Sequence, residues 1–146
     1  ENVPTPSIVR AQEPSFGASA LLIIRVRSIG RQPFSYMLSY LPESSARHFR
    51  KDRLGNQPLL MTLEMAGVSP ASAEQSLSAK AADADIAAAL QIPVGSPLIY
   101  MRRLSRDRAG APIEFFESYY RPDRFEYKMT LSRALSGGAP KWTPTG

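Results

Sequence analysis

A chain of 146 residues, 43% hydrophobic and 21% charged, suits one domain with a real core and is too short for two. It has no cysteine, which removes disulfides, thiolate chemistry and cysteine zinc sites together. The net charge of +5 invites a nucleic-acid reading, but the basic residues are scattered, with no Lys/Arg block, zinc finger, ribonucleoprotein-type aromatic motif or helix-turn-helix. An anion-binding pocket or plain surface charge therefore fits better than direct DNA binding. The single histidine, His48, sits among Arg47, Phe49, Arg50 and Lys51 and reads as a surface residue, not a catalyst. Neither a metal nor another cofactor is expected. The longest apolar run, Ala20 to Ile24, is strand-sized and cannot cross a bilayer. No signal peptide is visible, and a cytoplasmic location is the expectation.

Residues 1–19, with three prolines and little periodicity, read as an entry segment, part extended and part loop. Ala20 to Ser28 is a β-branched strand. Side chains alternate along a strand, so Arg25 and Arg27 share one face and Ile24 and Val26 the other. Gly30 to Pro33 is a turn, Phe34 to Leu41 the returning strand, and Pro42 its end. Pro42 to Phe49 fits a short helix capped by Ser44 or Ser45. Leu59 to Ala66 has helical spacing, and Gly67 follows it as a suitable stop. Ser72 to Lys80 reads as an extended strand with a polar face. Asp83 opens a second helix running to about Leu90, with Asp85 in its first turn. Leu98 to Arg106 and Ile113 to Tyr120 form another hairpin. A corner follows at Arg121 to Arg124, where Arg121 and Arg124 can pair with Asp123 or Glu126, and then a last strand from Phe125 to Leu131. The domain is expected over 1–135, with 136–146 as a flexible C-terminal tail. Antiparallel strands with separate helices make this α+β, a central antiparallel sheet with flanking helices.

The two hairpins echo each other. Aligning Pro33 with Pro112 sets Phe34 on Ile113, Tyr36 on Phe115, Ser39 on Ser118 and Tyr40 on Tyr119. A lone hairpin is marginal in water, so the two are expected to share one sheet.

Several pieces recur in a known order. They are Arg-x-Arg before a Gly/Pro turn, a return strand ending near Tyr-x-Pro, AALQIPVGSPLIYMRR (88–103) and GAPIEFFESYYRPDRFEY (110–127). In this the chain resembles the UTRA domain over roughly Ile8 to Arg133. UTRA is the effector-binding half of HutC-type, GntR-family transcription regulators. The resemblance implies a chorismate-lyase-like fold with a ligand cleft on its sheet. It also implies an N-terminal winged helix-turn-helix that binds operator DNA, a segment not in this chain, and a homodimer. The aromatic strand Ile113 to Tyr119 is a candidate dimer patch.

By the same resemblance, Arg25 and Arg27 grip the anionic group of a small metabolite, a carboxylate or phosphate. The planar, always-charged guanidinium suits both. Glu114 and Tyr120, on one face of the second return strand, contact its polar groups. Phe116 and Ser118 share that face, with Phe116 expected in the core. Glu117 points the other way and suits a salt bridge. Arg102 and Arg103 face opposite sides of their strand, so at most one joins the site, and Arg102 is taken as that one. Two departures make the pocket less polar. Met37 stands where sugar-phosphate-binding members carry Glu, and Pro58 and Leu60 replace their Ser-x-Tyr. They leave room for a more apolar anion than a sugar phosphate, such as an aromatic or aliphatic carboxylate. The rival readings are a chorismate-lyase-like enzyme acting on an anionic substrate and a direct nucleic-acid binder. The enzyme reading lacks a nucleophile–base pair.

Overall fold

A computed structural model describes residues 1–136 and 139–145, with side-chain surroundings to Ala134. Its main sheet has six antiparallel strands in the order β1-β2-β3-β6-β5-β4. These are β1 (Asn2–Pro4), β2 (Ser19–Ile29), β3 (Gln32–Leu41), β4 (Pro70–Ala81), β5 (Pro97–Asp107) and β6 (Pro112–Tyr120). The two hairpins β2–β3 and β5–β6 do share this sheet. They join at β3–β6, where Tyr40 faces Phe115 and Met37 faces Ser118.

The first turn is tighter than expected. Ile29 pairs with Gln32, leaving Gly30 and Arg31 as the loop, and Gly30 takes a positive φ of 60°. A bulge between Arg27 and Ser28 adjusts the register beside it.

The registers sort the sheet into two faces. One carries Arg25, Met37, Ser118, Met101 and Leu77 in a row, and the other carries Ile24, Leu38, Glu117, Arg102 and Ser76. On the first face pack α2 (Glu43–Ala46) and α3 (Leu59–Met65), and Leu41, Leu59 and Leu63 form a buried cluster there with Leu21 and Ile23. Each fully buried leucine contributes roughly 1.5–3 kcal/mol. Val68 N–H bonds Leu63 C=O and Gly67 N–H bonds Glu64 C=O, so α3 ends in a Schellman motif at the expected glycine.

On the second face, α1 (Ser7–Gln12) and the turn after it place Val9 and Phe16 against Leu104 and Phe115. Further along, α4 (Ala84–Leu90) sets Ile86, Ala87 and Leu90 against Leu98, Tyr36 and Tyr119. Asp83 caps α4 by accepting from Ile86 N–H at 2.9 Å, as expected.

Several expectations fail. The entry segment holds α1, a helix of six residues with only Val9 buried, too short to show a period. Pro42 occupies the N-cap of α2 with no side-chain cap, and Ser45 is buried instead. Phe125 to Met129 lie outside a strand because their aromatic side chains are engaged elsewhere. Phe125 stacks on Tyr120 with ring centroids 3.9 Å apart, and Tyr127 Oη accepts a bond from Gln75 Nε2 at 3.1 Å. The last strands are β7 (Thr130–Ser136) and β8 (Ala139–Thr145), paired as a separate ribbon. Residues 139–145, expected in a tail, thus find backbone partners in β7. Gly137, Gly138 and Gly146, also in that expected tail, lie outside the described residues. The strand Ile113 to Tyr119, taken as a candidate dimer patch, has no exposed residue, and Ile113, Phe115 and Ser118 are buried within the domain.

Candidate functional site

A cleft of about 170 Å³ opens on the α3 side of the sheet. Its floor is the strand face bearing Arg25, Arg27, Met37, Ser39, Met101, Arg103, Glu114, Phe116 and Tyr120, and its roof is the stretch Asn56 to Leu60 entering α3. Serines are frequent on this face of the sheet, and Ser39 is part of the floor. Ser35, Ser39, Ser105 and Ser118 are all buried on this face, and Ser35 Oγ and Ser118 Oγ lie 3.1 Å apart across the hairpin seam.

Of the residues expected at the site, Arg25, Arg27, Glu114 and Tyr120 come together here. Arg25 donates to Gln57 C=O at 2.9 Å and Gly55 C=O at 3.3 Å, tying the roof to β2. Partial burial, and then the neighbouring Arg27 charge, lower its pKa. Arg27 is exposed and lies 5.6 Å over the Phe34 ring. Tyr120 is buried, packed against Phe125. Met37, Pro58 and Leu60, the apolar replacements, all line the cleft.

Arg102 does not join them. It projects to the other face, into a hollow lined by Gln12, Glu74 and Ser76. Arg103 takes the place instead, 4.9 Å over the Phe116 ring and 3.8 Å from Glu114 Oε1. The choice follows from the register that pairs Arg103 with Phe116, which the strand's own sequence does not contain. Phe116 is cleft wall, not core as expected. Sequence reasoning also missed Ser39, Met101 and the Asn56–Gln57 roof. Only the parity of Ser39 with Met37 pointed to any of them.

Glu114 is the unusual group. It is 1% exposed, and neither carboxylate oxygen has a hydrogen bond of acceptable geometry. Burial pushes its pKa up, with the Arg103 charge and the nearby Ser39 hydroxyl acting the other way. Arg103 Nε and Ser105 Oγ are likewise buried without partners, and Ser105 pairs with Glu114 across β5–β6. Buried polar groups are normally satisfied. Arg103 and Glu114, each with polar atoms lacking a hydrogen bond, both line the cleft, where a polar ligand group would complete them.

Glu117 sits on the far face as expected, but its partner is a hydroxyl and not a cation: Tyr100 Oη donates to Glu117 Oε1. Arg121 pairs with Asp123 at 2.8 Å and also donates to Leu90 C=O at 3.3 Å, fastening the corner to α4.

The UTRA domain profile matches residues 2–126. The chain belongs to the UTRA family. A curated HTH-type transcriptional regulator of Mycobacterium tuberculosis is 32% identical over 128 residues, covering 84% of this chain and 48% of the relative. The chain therefore spans about half the length of the curated relative it matches. A transcriptional regulator structure from Streptomyces coelicolor has 29% identity and a TM-score of 0.76, covering 86% of this chain and 84% of that one. The ligand-binding domain of a protein assigned to the GntR-family regulators of Bordetella bronchiseptica has 25% identity and a TM-score of 0.77, covering 90% and 86%. This UTRA chain is thus an effector-binding domain of the GntR-regulator type, with the α+β antiparallel fold of those structures, and its relatives are regulators of transcription. Among the described residues no helix is long and apolar enough to cross a membrane.

Proposed function

We propose that this UTRA domain senses a small anionic metabolite for a cytoplasmic, HutC-type repressor that acts as a homodimer. Operator DNA is bound by a winged helix-turn-helix outside this chain. The observation that carries the reading is the cleft, where three guanidinium groups and one buried carboxyl without a hydrogen bond surround an apolar middle of Met37, Leu59, Leu60, Met101 and Phe116. A carboxylate or phosphate is held by Arg25 and Arg27 at the mouth. A hydrogen-bonding group at the other end of the ligand meets Glu114 and Arg103. Tyr120 closes the wall between them. A cavity of about 150 Å³ takes a benzene ring, so the body of the ligand is ring-sized and apolar. That favours an aromatic or branched carboxylate over a sugar phosphate.

A ligand shifts a regulator only by binding its two states unequally. Arg25 supplies a physical route, since the same guanidinium that faces the anion holds the Gly55 and Gln57 carbonyls of the roof. The test is a thermal-shift screen of anionic metabolites. A hit at a hundred times its Kd stabilises the domain by about 2.7 kcal/mol. Arg25→Ala and Arg27→Ala each weaken that shift, and survival of the full shift in both variants overturns the site.

A further inference from the structure

The sheet has a second recess, on the face away from the cleft. It is a hollow of about 200 Å³, a little larger than the cleft, between α1 and the strands β4 and β5. Its bottom is apolar, formed by the buried side chains of Val9, Leu104 and Phe115. Its rim is polar, with Gln12 on α1 and Glu74, Ser76 and Arg102 on the strands. Successive side chains on a strand point to opposite faces, so consecutive residues serve the two recesses. Arg103 enters the cleft and Arg102 the hollow, and Glu114 enters the cleft while Phe115 floors the hollow.

None of the four polar side chains at the rim has a hydrogen bond or ion pair among the described residues. Glu74 and Arg102 are diagonal neighbours across β4–β5, since Glu74 registers with Leu104 and Arg102 with Ser76. Diagonal neighbours stand about 7–8 Å apart, and these two do not close on each other. The other acids near Arg102 are engaged. Glu117, opposite it on β6, takes the Tyr100 hydroxyl, and Glu13, just after α1, is held by Arg106. One guanidinium and one carboxylate therefore face the same recess with their charges unspent. A lone anion there is attracted by Arg102 and repelled by Glu74, and a lone cation meets the reverse. A group carrying both charges on neighbouring atoms satisfies both at once. Guanidinium takes a carboxylate through two parallel hydrogen bonds, a carboxylate accepts from an ammonium, and the Gln12 amide can donate or accept.

We infer that this hollow is a second small-molecule site, and that its ligand is a zwitterionic α-amino acid with an apolar side chain. The α-carboxylate lies on Arg102, the α-ammonium on Glu74, and the side chain on Val9, Leu104 and Phe115. A cavity of about 150 Å³ takes a benzene ring, so the hollow has room for an aliphatic or small aromatic side chain. A ligand placed in this way bridges α1 to β4 and β5 and ties the entry segment to the sheet. Binding here does not depend on the sensor reading of the cleft, since no residue lines both recesses.

The test titrates the 146-residue chain with L-leucine and follows its backbone amide resonances by NMR. Saturable shifts are expected at Val9, Gln12, Ser76, Arg102 and Leu104. Isocaproate, which lacks the ammonium, and isoamylamine, which lacks the carboxylate, bind about tenfold or more weakly. Glu74→Gln and Arg102→Gln each weaken L-leucine by a similar factor. Both positions are at least partly exposed, and an unchanged amide spectrum away from the hollow shows that the variants fold. Arg108→Gln, in the exposed turn between β5 and β6, removes one charge away from the hollow and leaves binding unchanged. The site is overturned if L-leucine, L-valine and L-phenylalanine all give no saturable shift up to about 10 mM. Shifts confined to cleft residues, shifts that survive in both Glu74→Gln and Arg102→Gln, or isocaproate binding as tightly as L-leucine overturn it equally. Each of these failures leaves the thermal-shift result at the cleft as it stands, and an empty metabolite screen at the cleft leaves L-leucine binding here intact.

Discussion

Glu114 and Glu117 stand three residues apart on β6 and live under opposite rules. Glu117 is half-buried on the far face and takes a hydrogen bond from the Tyr100 hydroxyl. Glu114 is deeper, in the cleft, and takes none. Folding normally pairs what it buries. A strand that satisfies one glutamate and strands the other separates a structural acid from a ligand-facing one, which residue type and spacing alone cannot do.

The sharpest way to break the contrast is Glu114→Leu. Removing a buried, unbonded carboxyl is expected to raise the stability of the free domain by about 1–3 kcal/mol. The same change abolishes the ligand-induced thermal shift. Chemical denaturation with and without a hit from the metabolite screen reads both. A variant that loses stability and keeps its ligand response would show that Glu114 is structural after all. Glu117→Ala should do the reverse, costing about 1–2 kcal/mol by leaving Tyr100 without its acceptor and leaving ligand response intact.

The pH dependence of stability sharpens the comparison further. Burial raises the folded pKa of Glu114 above its unfolded value, so the folded state holds the proton more tightly. Its contribution is present in full below the unfolded pKa of about 4.3 and is lost as pH rises through the folded value. Urea titrations across pH 4 to 8 should show that loss in the parent and a flatter profile in Glu114→Leu. The smallest effect is on the far face. Tyr119 is pushed up to about 12, first by burial and then by the Glu117 charge and its neighbours. Its neutral form is the folded form, so the stability it adds is lost between about pH 10 and its folded value. Ultraviolet titration of the phenolate, compared with Tyr119→Phe, measures this.

Much of the fold was legible because its signals are local. The Gly and Pro punctuation around β2–β3 and β5–β6, the Asp83 cap and the Gly67 stop each act within a few residues. Relations within one strand were legible too, and for that reason Arg25 with Arg27, and Glu114 with Tyr120, land in one cleft. What failed needed information from another strand or from distant packing. Arg102 and Arg103 must face opposite ways, but only the register with β6 says which one enters the cleft. In α1 a single buried valine leaves no period to read. The segment after Tyr120 has strand-like composition, yet Phe125 and Tyr127 are held by Tyr120 and Gln75, contacts no local pattern announces.

The buried serines on the cleft's side of the sheet, Ser39 of the floor among them, carry one more consequence. The hollow is carved by what the sheet lacks, side-chain bulk at positions where a central strand would ordinarily place leucine or valine. Its depth is therefore written in the most rigid part of the molecule and not in a loop. Ser39 lies directly in the cavity lining. Exchanging it for a larger or smaller side chain re-cuts the recess while every strand pairing stays as it is, so a scaffold of this kind can change its cargo one floor tile at a time.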